Sequence, residues 1–109
     1  MKISKKENFY HGILLGLFSH MDDWIVRSNA ESGDGYSDIL IEIPMEKIGI
    51  IIEVKYGEDK NMEHGCDDAL KQIEEKNHIE TLEDDDMRTI LKYGVACFRK
   101  DCMIKIAEK

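Results

Sequence analysis

The fold class this sequence predicts is α/β, a mixed β-sheet flanked by helices in a single domain spanning residues 1–109. Three observations predict it. Phe9, Ile13, Leu14, Leu17 and Phe18 recur at helical spacing near the start. The run Ile48–Ile52, broken only by Gly49, has the continuous apolar character of a strand covered on both faces. A second helical stripe, Ala69, Leu70 and Ile73, then separates that strand from two further β-rich runs, as a crossover connection requires.

Taken in order, residues 4–20 form the first helix, with Ser4 and Glu7 spaced as a capping box. Gly12 and Gly16 weaken its propensity but permit close approach to a sheet. Trp24–Ser28 is rich in β-formers, and Asn29–Gly35 has a turn composition. Asp38–Ile43 is the second strand, with Glu42 expected to face water. Pro44 stops it, Met45–Lys47 reverses the chain, and Ile48–Tyr56 is the buried third strand. Gly57–Gly65 reads as a loop. Asp67 or Asp68 is the expected cap of a helix running to about Asn77. Glu80–Asp86, with three consecutive aspartates, reads as a solvated loop or helix end. Leu91–Phe98 and Met103–Ala107 close the sheet around a turn at Arg99-Lys-Asp. The order is α-β-β-β-α-β-β.

The chemistry concentrates at the second and third strands. Side chains in a strand alternate faces, so Glu53 and Lys55 share one side of theirs. A hairpin between the two strands brings Asp38 beside them. Charges at the end of a buried strand are costly unless paired. Two carboxylates with a lysine suit a divalent cation and a phosphate. Hard oxygen donors from Asp38 and Glu53, helped by the Val54 backbone carbonyl, fit Mg²⁺ or Mn²⁺. The competing reading is a strand-end salt bridge of Lys55 with Glu53 or Asp38 and no chemistry.

Asp38, fourteen intervening residues, then Glu53-Val54-Lys55 resembles the D…(D/E)xK signature of the PD-(D/E)XK nuclease superfamily. The stretches Glu31–Asp38, Ala69–Ile73 and Tyr93–Phe98 extend the likeness to the nuclease-like C-terminal domain of certain bacterial AAA-ATPase-like proteins. The resemblance implies a restriction-endonuclease-like core and a metal-dependent nuclease acting on DNA or RNA. It implies catalytic roles for Asp38, Glu53, Lys55 and Gln72, and a further acidic ligand at Glu7. Glu7 has the alternative of being the helix cap, and Gln72 that of a solvated helix residue. The family's tyrosine a turn or two after the glutamine is His78 here.

Composition sets bounds. Apolar residues make up 42% and charged residues 35%, as in soluble globular domains. The net charge of −8 counts against tight non-specific binding to nucleic acid. Residues 57–86 carry twelve acids against three lysines, whereas residues 87–109 carry six bases against two acids. A nuclease-fold module for protein–protein contact or self-association is therefore the second class of function. A homodimer, or an ATPase-domain or other protein partner, would supply the missing surface. Cys66, Cys97 and Cys102 form no CxxC pair, which suggests reduced thiols in a cytoplasmic setting. The run Ile13–Phe18 is too short for a membrane span and lacks a following cleavage site, so no membrane partner is expected.

Overall fold

The computed structural model describes residues 23–30, 36–56, 61–98 and 101–108. The expected first helix, with Glu7, lies outside these residues. Five strands form one sheet in the order β1-β2-β3-β4-β5. They are β1 Ile25–Ala30, β2 Tyr36–Ile43, β3 Ile48–Tyr56, β4 Thr89–Phe98 and β5 Asp101–Glu108. Helices α1, Met62–Glu75, and α2, His78–Asp84, carry the chain from β3 to β4. The pair β3–β4 is parallel and the other three pairs are antiparallel, so the sheet is mixed as expected.

The β2–β3 hairpin sets the geometry that matters most. Its turn, Pro44–Lys47, is closed by Glu46 N donating to the Ile43 carbonyl at 3.1 Å. Ile43 then faces Ile48, and counting back along both strands places Asp38 opposite Glu53. One face of the sheet carries Ile39, Ile41, Ile52, Val54, Val95 and Cys97 as a buried cluster. The other face carries Leu40, Ile51 and Ile90 against Ile73 of α1 and Leu82 of α2. By alternation, Asp38, Glu53 and Lys55 point to this helix-covered face.

Two close approaches seat the helices. A Cβ at Gly94 would lie 2.5 Å from the Cys66 carbonyl oxygen, and one at Gly49 would lie 2.8 Å from Leu82 Cδ1. Glycine in β4 therefore lets the α1 backbone pass almost against the sheet.

Several sequence expectations are corrected. Helix α1 begins at Met62, ahead of Asp67 and Asp68, because Asn61 caps it by accepting from His64 N at 3.1 Å. Asp68 and Asp67 instead bind Lys55 and Lys105, at 3.0 and 2.8 Å. The acidic stretch Glu80–Asp86, for which a solvated loop or helix end is expected, is the exposed end of α2 and the turn after it, anchored by the fully buried Leu82. Glu42, expected to face water, is buried on the helix-covered face, where Arg27 Nη2 lies 3.2 Å from its Oε1 and 3.0 Å from Asp85 Oδ2. Burial pushes the Glu42 carboxyl above its ordinary range. Cys97 lies directly opposite Cys102 and is joined to it in a disulfide, rather than remaining a reduced thiol. Cys66 is a buried free cysteine whose Sγ donates to the Met103 carbonyl at 3.2 Å. Among the described residues no helix is long and apolar enough to cross a membrane.

Candidate metal centre

Asp38 and Glu53 sit side by side with 1% and 0% of their surface exposed. Two carboxylates withdrawn from water need cations near them. Among the described residues, two basic side chains beside them come from the junction of α1 and α2. Lys76 Nζ donates to Glu53 Oε2 at 2.9 Å and to Asp38 Oδ2 at 3.4 Å. His78 Nε2 lies 3.2 Å from Asp38 Oδ2, close but without the alignment of a hydrogen bond.

The junction has a local cause. Lys76 is the C-cap of α1, and Asn77 after it adopts the left-handed conformation, φ 60° and ψ 21°. Asparagine tolerates that region better than most residues and commonly ends helices there. The sharp turn redirects the chain within one residue, so Lys76 and His78 converge on the same carboxylates from two helices.

Glu53 is strongly perturbed. Burial pushes its pKa up to about 7. The hydrogen bond and charge of Lys76 oppose that rise, and the negative charge of Asp38 adds to it. Glu53 Oε1 is buried without a hydrogen-bond partner, as is His78 Nε2. Ligand atoms of Asp38, Glu53 and His78 all fall within 4.8 Å of one another. Two carboxylates and an imidazole, with Glu53 Oε1 and His78 Nε2 lacking hydrogen-bond partners, fit a divalent cation.

A family model described as the PD-(D/E)XK nuclease superfamily matches residues 5–107. The chain belongs to that superfamily. No curated protein and no solved structure matches it. The five-stranded mixed sheet with its helices is consistent with the restriction-endonuclease-like fold of the PD-(D/E)XK superfamily, and membership points to a nuclease-like activity on nucleic acid.

The sequence-derived residues of this PD-(D/E)XK chain divide into two groups. Asp38 and Glu53 are brought together. Lys55 shares the face of Glu53, two residues further along β3, but its Nζ lies 3.0 Å from Asp68 Oδ2. Gln72 is half-buried on α1, one helical turn before Lys76 and therefore on the same flank. Val54 points its side chain into the opposite core cluster. Its backbone runs between β2 and β4, opposite Ser37 and Val95, where a ladder carbonyl keeps a second lone pair.

Sequence reasoning did not assign roles to Lys76 and His78. One signal was available: Lys76 follows Gln72 by four, which puts it one turn further along the same helix flank. His78 was visible only as the residue standing where the superfamily has tyrosine.

Proposed function

We propose that this chain is a metal-dependent nuclease that hydrolyses DNA phosphodiester bonds. The observation that carries the reading is the pairing of Asp38 with Glu53, both buried, in a chain of the PD-(D/E)XK superfamily. Asp38, Glu53 and the Val54 carbonyl would hold Mg²⁺ or Mn²⁺, with Glu7 as a further acidic ligand. Such an ion, when bound, lowers the pKa of a coordinated water and neutralises charge on phosphate oxygens. Lys55 would orient the attacking water or stabilise developing negative charge, released from Asp68 as substrate enters. Gln72 would hydrogen-bond at the edge of the same site. We place the activity in the cytoplasm. The basic surface that a chain of net charge −8 lacks would come from a second copy or from an ATPase-domain or other protein partner.

A second reading, a non-catalytic nuclease-fold module for protein contact or self-association, is favoured by one observation. Lys76 already bridges the two carboxylates, so the pair can be satisfied without chemistry. Calorimetric titration of Mg²⁺ and Mn²⁺ into wild type and Asp38→Asn, followed by incubation with linear and single-stranded DNA, separates the two. Binding and cleavage that disappear together in Asp38→Asn establish the nuclease reading. A wild-type chain that binds neither ion leaves the interaction module.

A further inference from the structure

We propose that His78 is a third metal ligand and tunes the site towards Mn²⁺ and later first-row ions over Mg²⁺; this rests on the metal-dependent reading above. The first support is placement. His78 opens α2 directly after the left-handed Asn77, and its ligand atom lies within 4.8 Å of those of Asp38 and Glu53. Its side chain is only 13% exposed, so the imidazole is held in the site rather than swinging in solvent.

The second support is the state of the donors. Buried polar atoms in folded proteins are almost always hydrogen-bonded. Here two polar atoms of the site, Glu53 Oε1 and His78 Nε2, have no hydrogen-bond partner. The Glu53 side chain is itself fully buried. Lys76 donates to Glu53 Oε2 and Asp38 Oδ2, whereas Glu53 Oε1 and His78 Nε2 make no hydrogen bond. An ion accepting both would satisfy each orphaned atom at once.

The third support is chemical preference. Carboxylate and carbonyl oxygens suit Mg²⁺, Ca²⁺ and Mn²⁺ alike, whereas imidazole suits first-row transition ions. Mg²⁺ sheds water reluctantly and is usually held through one or two carboxylates. Two carboxylates alone would discriminate little between Mg²⁺ and Mn²⁺. Replacing one oxygen position by nitrogen shifts the balance, most for Co²⁺ and less for Mn²⁺, in line with the usual affinity order. His78 is therefore a specificity-determining ligand, and Lys76 is the charge an incoming ion must overcome.

The test is calorimetric titration of Mn²⁺, Co²⁺ and Mg²⁺ into wild type, His78→Ala and His78→Gln, with the visible absorption of bound Co²⁺ as a second readout. Glutamine keeps a polar side chain of similar reach, so a folded comparison is available even where alanine unsettles the start of α2. Both variants are expected to lose about tenfold or more in Mn²⁺ and Co²⁺ affinity, the scale seen when groups supporting a metal are removed. Mg²⁺ affinity should change little, and the Co²⁺ spectrum should move. Variants that keep the wild-type ratio of Mn²⁺ to Mg²⁺ affinity and an unchanged Co²⁺ spectrum would overturn the assignment. Selective, His78-dependent binding without cleavage of DNA or RNA would support the ligand and sink the nuclease reading alone. A wild-type chain that binds none of the three ions would overturn both.

Discussion

Glu53→Gln tests the electrostatic account of the site without any metal or substrate. In the folded chain the Glu53 pKa is about 7 against an ordinary 4.5. The folded state thus holds this proton more tightly than the unfolded one. The stability it contributes is fully present below about pH 4.5 and is lost as pH rises through 7. At about 1.4 kcal/mol per pH unit, the gap amounts to roughly 3 kcal/mol between those limits. Asp38, Lys76 and His78 face the group, and the effects of all three are already included in the raised value. Glutamine resembles the protonated acid and cannot ionise. The stability of Glu53→Gln relative to wild type should therefore climb by about 2.5 kcal/mol from pH 5 to pH 8.5. Urea unfolding of both proteins across that range, with EDTA present so that no cation rescues the carboxylate, measures the difference. Titrations common to both chains, Glu42 included, cancel. Two stability curves that run parallel with pH would refute the reasoning, because Glu53 would then be ionised in the fold at no penalty.

Two further outcomes follow from the geometry. Lys55→Ala should abolish cleavage while changing stability by less than about 1 kcal/mol, since its bridge to Asp68 is partly exposed; a cleavage assay beside a urea melt checks this, and unchanged cleavage would remove Lys55 from the site. Gly94→Ala should destabilise by about 1–3 kcal/mol, because its new Cβ would press on the Cys66 carbonyl and Leu70; a thermal melt no lower than wild type would mean that α1 does not lie this close to β4.

The part of the site legible in the sequence is the part fixed by a short hairpin. Pro44 ends one strand and the next begins at Ile48, so the register follows from counting, and Asp38 must meet Glu53. Alternation then puts Lys55 on their face. The rest depends on long-range packing. Glu42 looks like a solvent residue within β2, yet Arg27 from β1 and Asp85 after α2 enclose it. Leu82 lies among five acids from Glu80 to Asp86 and still anchors a helix, because Gly49 leaves room for it on the sheet. Cys97 and Cys102 looked unpaired by spacing, but the β4–β5 register sets them face to face. The roles of Lys76 and His78 rest on one left-handed residue, Asn77, which helical periodicity cannot foresee.

That single turn ties electrostatics to architecture. The sheet contributes both anions, and their partners are contributed by residues on either side of a helix break. Since Glu53 is fully buried, its ionised form is stabilised mainly by what the break delivers. A shift of the α1–α2 junction by a small fraction of a turn would move Lys76 and His78 together. Neither carboxylate can follow, because both are locked in a paired ladder. If the site holds a metal as proposed, the rigid half would set where a cation sits, and the junction would decide between the ammonium of Lys76 and a divalent ion completed by His78. Selection among cations would act on the short segment Lys76-Asn77-His78, while the superfamily's acidic pair stays unchanged.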